Sequence, residues 1–207
     1  MDRMYRNQRR IYDATRAYYL LGRNQLLAGL NAGPGTTVLE IACGTARNLL
    51  RAAEFYPDTA LYGIDISSEM LTTARQSVVK SRHSQRIKLA LADATRFDAM
   101  ALFGIERADR IVISYALSMI PPWHAALDEA LLHVDPGGSL HIVDFGTMDG
   151  IPDPARRALV AWLEHFDVTP RRNLEAVCEE AAARHGMTCQ FRQSPRGYWA
   201  HVVMHRV

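Results

Sequence analysis

Short apolar, β-branched runs alternate along this chain with amphipathic stretches of helical period. Thr36–Ala42 reads as a strand and is followed by a helical pattern from Arg47 to Phe55. A second run, Ala60–Asp65, leads to Ser67, a residue suited to cap a helix that continues to about Ser81 with Met70 and Leu71 opening its buried face. Ile87–Ala92, Arg110–Tyr115 and Ser139–Phe145 are three further strands. Between the last two, Trp123–Val134 forms an amphipathic helix closed by Pro136-Gly137-Gly138. Strands alternating with helices of this length predict right-handed βαβ units and a parallel sheet covered by helices on both faces.

The last third of the chain breaks the alternation. A helix begins at Asn173 and ends near Gly186. Met187–Gln193 and Tyr198–Arg206 then follow as two strands around a Ser194–Gly197 turn. So short a connection allows only an antiparallel pair, because a parallel crossover takes a dozen residues or more. The prediction is a mostly parallel, seven-stranded α/β sheet finished by a C-terminal antiparallel hairpin. Residues 1–30 stand apart as basic and aromatic lid helices, and 31–207 form the main domain.

Length and composition narrow the function without naming it. The chain has 207 residues, enough for one α/β domain with a full core. A net charge of +2 gives no argument for nucleic acid as a partner. The three cysteines, Cys43, Cys178 and Cys189, are scattered, and no Cys/His spacing suits a metal, so reduced thiols in a cytoplasmic protein are expected. No apolar run reaches the ~20 residues that span a bilayer.

The most informative segment is Val38-Leu39-Glu40-Ile41-Ala42-Cys43-Gly44-Thr45-Ala46-Arg47-Asn48, a strand running through a tight turn into a helix. Small residues at Ala42, Gly44 and Ala46 let a ligand approach the backbone. One glycine does not satisfy the dinucleotide fingerprint, which seats a pyrophosphate on several. Asp65 closes the second strand about twenty residues on, where a carboxylate accepts from ribose hydroxyls. Ile66 and Met70 adjoin it, and Ala92-Asp93-Ala94 follows the third strand. The fourth ends in Ile113-Ser114-Tyr115-Ala116-Leu117-Ser118-Met119-Ile120. Turns at successive strand ends converge on one crevice in open α/β sheets.

The Val38–Asn48 segment resembles motif I of class I methyltransferases, with alanine at two of its usual glycines. The terminal hairpin is also the shape of that Rossmann-like fold. The resemblance implies S-adenosylmethionine as cofactor, held by Glu40, Ala42, Cys43, Gly44, Asp65, Ile66, Met70 and Ser114, with Asp93 and Ala94 at the adenine amino group. Tyr12-Asp13-Ala14-Thr15-Arg16 and Tyr18-Tyr19-Leu20-Leu21-Gly22-Arg23 resemble the start of bacterial betaine-lipid N-methyltransferases. Glu40–Thr45, Ile142–Gly146 and Phe166–Arg171 are similar to the same group. That likeness implies Arg23 at the methionine carboxylate, Tyr12 or Tyr19 in the cofactor pocket, and a lipid headgroup amine as acceptor. Diacylglyceryl-homoserine comes first, then phosphatidylethanolamine. A soluble small-molecule acceptor and a non-catalytic cofactor sensor are the remaining alternatives.

Residues 1–23 set six arginines against Asp2 and Asp13 and carry Met4, Tyr5, Ile11, Tyr12, Tyr18 and Tyr19 at helical spacing. A basic face beside an aromatic stripe suits an anionic membrane surface, and suits equally a lid with solvated arginines. The expected location is cytoplasmic, peripheral on the membrane if the first reading holds. Methyl transfer to an amine is an in-line displacement needing alignment, no metal and a proton acceptor. Tyr18, Tyr19, Asp144 or water are the candidates for that proton. Tyr115, Trp123 and Phe145 are placed to face a developing quaternary ammonium. Arg171 is placed to pair with an acceptor carboxylate or phosphate, or else lies solvated in its loop.

Overall fold

The computed structural model describes residues 20–207. Along the chain run α1 (Arg23–Ala28), β1 (Thr37–Ile41), α2 (Arg47–Phe55), β2 (Ala60–Asp65), α3 (Ser68–Lys80), β3 (Ile87–Leu91) and α4 (Ala99–Phe103). They are followed by β4 (Ala108–Ser114), α5 (Trp123–Leu132), β5 (Val134–Phe145), α6 (Asp153–Glu164), α7 (Leu174–Arg184), β6 (Met187–Gln193) and β7 (Trp199–Arg206). The strands form one seven-stranded sheet in the order β3-β2-β1-β4-β5-β7-β6. β3, β2, β1, β4 and β5 pair in parallel, and β7 lies antiparallel between β5 and β6. The expected Rossmann-like methyltransferase fold with its C-terminal hairpin is therefore present.

Side-chain alternation along the strands divides the core. Leu39, Ile41, Ile111 and Ile113 point to one face, where Ala126, Leu127, Ala130 and Leu131 of α5 and Cys178, Ala181 and Ala182 of α7 cover them. Val38 and Val112 point to the other, under Leu26 and Leu27 of α1, Leu49 and Ala52 of α2, and Leu71 and Ala74 of α3. Burial of both faces explains why the inner strands read as near-continuous apolar runs. The same alternation sends Glu40, between Leu39 and Ile41, to the α2 side.

Register fixes where the site lies. Ile41 partners both Ile64 and Ile113, and Ile113 partners Ile142, so four strands end level. The turns after β1, β2 and β4 thus open on one edge. Strand order reverses between β1 and β4, where such sheets hold their ligands.

Among the boundaries that differ from the sequence reading, two have a clear physical reason. Pro136-Gly137-Gly138 does not simply close a helix. β5 begins at Val134, paired with Ala108, and residues 135–138 bulge out before the ladder resumes at Ser139 opposite Arg110. Gly138 is required there, because a Cβ would lie 2.8 Å from the Asp109 and Asp135 carbonyl oxygens. β4 stops at Ser114 rather than Tyr115, because Tyr115 turns into the left-handed region at φ 53°. Tyr12, Tyr18, Tyr19 and the basic face of residues 1–16 lie outside the described residues.

Candidate active site

The turn after β1 is built on three left-handed residues, Ala42 at φ 56°, Gly44 at 53° and Ala46 at 60°. This conformation costs an L-residue about 1–2 kcal/mol. Two of the three are alanines, so the turn is strained at the positions where motif I usually has glycine. A Cβ built on Gly44 meets nothing within 4 Å, so its backbone faces open space. Asp65 stitches this turn to the next: Oδ2 accepts from the Gly44 N–H at 2.7 Å and Oδ1 from the Ser67 N–H at 2.8 Å. Ser67 in turn caps α3, its hydroxyl accepting from the Met70 N–H.

Glu40 lies beneath the turn, 2 % exposed. Its Oε1 accepts from Asn48 Nδ2 at 2.7 Å, and among the described residues Oε2 has no partner. Burial pushes its carboxyl up to about 8, against the pull of the Asn48 amide and the Arg23 guanidinium. Burial likewise raises the neighbouring Cys43 thiol, with the Glu40 and Asp65 charges adding to the effect.

These residues line one side of a cavity of about 880 Å³. Arg23, Glu40, Ala42, Cys43, Gly44, Asp65, Ile66, Met70 and Ser114, named above as cofactor candidates, all line it, and Tyr115 joins them. The other side is apolar, made by Leu20, Tyr115, Ala116, Met119 and Ile120. The start of α1 is anchored across this end: the Tyr115 hydroxyl donates to the Leu21 carbonyl, and His201 Nε2 bonds the Gly22 carbonyl at 3.0 Å. Met119 and Ile120, at the end of the segment after β4, and Asn48, none of them singled out above, also lie in the wall. Asn48 was legible in principle, as a polar side chain on the first helical turn facing a buried strand glutamate.

Six expected site residues lie outside the lining. Asp93 is exposed and spends Oδ1 on the Thr95 N–H and hydroxyl, with Ala94 in the same turn. Asp144, expected as a proton acceptor, is wholly buried. Its Oδ2 accepts from the Ser118 N–H at 3.1 Å and its Oδ1 from the Phe145 N–H at 2.8 Å. Burial raises its carboxyl to about 6. Arg171, expected at an acceptor anion, donates to the Leu117 and Ile120 carbonyls at 3.0 and 2.9 Å. Its guanidinium lies 5.8 Å from the centre of the Trp123 ring. Trp123 and Phe145 are core residues on opposite faces of the sheet. Asp144 and Arg171, joined by the Thr169 N–H donating to the Ser118 carbonyl, brace the 115–120 loop from behind.

Residues 38–138 match a family model described as a methyltransferase domain. Over this stretch, just under half of the chain, the protein is similar to methyltransferase domains. The matched span begins in β1, contains the turns that carry Gly44, Asp65 and Tyr115, and stops in the bulge of β5. A demethylmenaquinone methyltransferase of Geobacillus sp. (strain WCH70) is 29% identical over 123 residues, 59% of this chain and 50% of the relative. One from Symbiobacterium thermophilum is 30% identical over 115 residues, 55% of this chain and 44% of the relative. The chain spans about half the length of these curated relatives. Among solved structures, an O-methyltransferase family protein from Burkholderia thailandensis superposes with a TM-score of 0.71 at 18% identity, covering 98% of this chain and 61% of that one. Haemonchus contortus phosphoethanolamine N-methyltransferase 2, in complex with S-adenosyl-L-methionine, gives 0.71 at 15%, covering 89% and 52%. These likenesses establish the fold.

Proposed function

We propose that this chain transfers a methyl group from S-adenosylmethionine to an acceptor with an apolar body. The observation that carries this reading is a single cavity crossing the β1/β4 switch point, polar and charged on one side and apolar on the other. The polar side fits the cofactor. Gly44 leaves room where a side chain would intrude, Glu40 keeps an unsatisfied buried oxygen, and Asp65 has lone pairs left beside its two backbone donors. Arg23 is suited to the methionine carboxylate, Asp65 to the ribose hydroxyls and the exposed Ile66 side chain to the adenine face. The cofactor supplies an activated methyl on a sulfonium. The chain's own part is to hold the acceptor in line with it at the Ser114–Tyr115 end and to keep water away.

Leu20, Met119 and Ile120 suit an acyl or isoprenoid body better than a small polar metabolite. Within that class we favour a lipid headgroup amine, with diacylglyceryl-homoserine first, on the N-terminal resemblance and the six arginines of residues 1–23. A quinol ring is the second reading, favoured by the names of the curated relatives. The test is label transfer from methyl-labelled cofactor in phosphatidylglycerol vesicles. Separate samples carry diacylglyceryl-homoserine, phosphatidylethanolamine or reduced demethylmenaquinone. Label in the betaine lipid is the expected result; label in the quinone alone replaces the amine with the ring carbon, and no label in any lipid removes the apolar-acceptor reading. Replacing Arg3, Arg6, Arg9 and Arg10 with Gln should weaken vesicle binding by about 1 kcal/mol per charge, read by co-sedimentation.

A further inference from the structure

Glu40 combines three features that an ordinary strand residue does not. It is 2 % exposed, it lines the cavity, and Oε2 has no partner among the described residues. The groups around it come from four elements. Asn48 of α2 donates to Oε1, and the Leu49 amide of the same helix works in the same sense. Arg23 of α1 favours the anion from a distance, while Asp65 at the end of β2 opposes it. Cys43 in the following turn holds its thiol proton. One neutral amide and one remote guanidinium do not replace the hydration that an anion with a bare oxygen has given up, and a buried charge without a close partner reverts to its neutral form.

We infer that Glu40 carries a proton in the ligand-free protein and surrenders it when the primary ammonium of the ligand's amino-acid moiety enters the cavity, so that ligand capture and proton release are one event. The proton passes from the Glu40 carboxyl to solvent, the ligand's ammonium keeps its own three, and the new carboxylate gains the cationic partner it lacked. Glu40 thereby selects ligands that bring a cation: a nucleoside thioether without the amino-acid tail leaves the carboxyl protonated. This rests on the cofactor reading above.

The experiment is calorimetric titration with S-adenosylhomocysteine at pH 7 in two buffers of different ionisation enthalpy, here phosphate and Tris. The heat should differ between them by close to one proton per ligand bound. The dissociation constant should fall by up to tenfold from pH 6 to pH 7 and level off above about 8, in keeping with the raised carboxyl. Glu40→Gln keeps an oxygen for Asn48 and cannot ionise, so it should bind without buffer-dependent heat and without that pH slope. 5′-Methylthioadenosine titrated into the unmodified protein should bind more weakly and release no proton, a comparison that needs no variant to fold. Binding of S-adenosylhomocysteine with equal heats in both buffers overturns the inference, as does an unchanged proton count in Glu40→Gln. No binding at all overturns the cofactor reading and takes this one with it.

Discussion

Asp65 and Ala42 show how much one side chain decides in this crevice. Asp65 links the β1 and β2 turns through both carboxylate oxygens, one for Gly44 and one for Ser67. Asp65→Asn presents an amide N–H₂ to one of those N–H groups, so one turn comes loose and one ligand acceptor is lost. Hydrogen bonds to charged groups are worth about 1.5–3 kcal/mol, which predicts a 10- to 100-fold loss of S-adenosylhomocysteine affinity by calorimetry. Ala42 holds φ 56° with its side chain only partly buried. Glycine relieves about 1–2 kcal/mol of strain there and costs about 0.5–1 through the unfolded chain. Ala42→Gly should therefore raise the melting temperature by about 1–4 °C, at ~2–4 °C per kcal/mol for a domain of this size. Ala46 has the same conformation but no exposure, and its methyl packs beneath α2. Ala46→Gly should gain nothing, since the lost buried methyl offsets the relief. Equal gains at both alanines would show that strain is not what separates them.

At the scale of elements, the bracing of the 115–120 loop divides what could be read from sequence from what could not. The strands were legible because each is an apolar run bounded by turn residues, and the level strand ends follow from parallel pairing. Glu40, Gly44 and Asp65 were legible because each sits at a fixed offset from a strand end. Asp144 and Arg171 were not. Arg171 meets carbonyls 51 and 54 positions earlier in the chain, and Asp144 meets an amide 26 earlier, so their partners depend on the folded loop. An arginine after Pro170 reads as an anion binder because the pattern cannot show that two backbone carbonyls already occupy it. Tyr115 misled in the same way, since nothing in a β4 run announces a left-handed tyrosine. Arg171→Ala removes both carbonyl bonds and the Trp123 contact while leaving Glu40, Gly44 and Asp65 in place. It should lower stability by about 1–3 kcal/mol. Affinity for S-adenosylhomocysteine should stay within twofold, while the acceptor KM rises several-fold. Arg171→Lys should rescue stability only in part, because a single ammonium cannot span two carbonyls as a planar fork does. A loss of cofactor affinity as large as the KM change would mean that the loop serves both ends of the cavity.

At the scale of the whole molecule, the shifted groups of the described residues act at different pH, and Glu40 dominates one interval. Asp144 is raised to about 6 from an ordinary 3.8, so its contribution to stability is fully present below about 4 and gone soon above 6. His141, buried against Arg110 and two further histidines, is lowered to about 3 from 6.5, and burial lowers His201 in the same direction. Those two, with His83, which burial also lowers, add stability above the unfolded value and lose it as the pH falls, so they still oppose Glu40 up to about 7.5. Cys43 begins to matter only near the unfolded thiol value of 9. Between about 7 and 8 those histidines fade and Glu40 dominates, protonated when folded and ionised when unfolded. The folded state then holds more protons than the unfolded state, so stability falls as pH rises. The net difference is about half a proton, so the slope is about 0.7 kcal/mol per pH unit. Thermal melts of the ligand-free protein should show a drop of about 1–3 °C per pH unit in that interval. Glu40→Gln should flatten it, and saturating S-adenosylhomocysteine should flatten it too, since the ligand's ammonium has by then displaced the proton. Ligand binding also raises the melting temperature by mass action, by about 2.7 kcal/mol at a hundredfold excess over the dissociation constant, and that gain should be larger at pH 8 than at pH 6.5. A ligand-free melt that stays level across the interval would place the buried charge on some group other than Glu40.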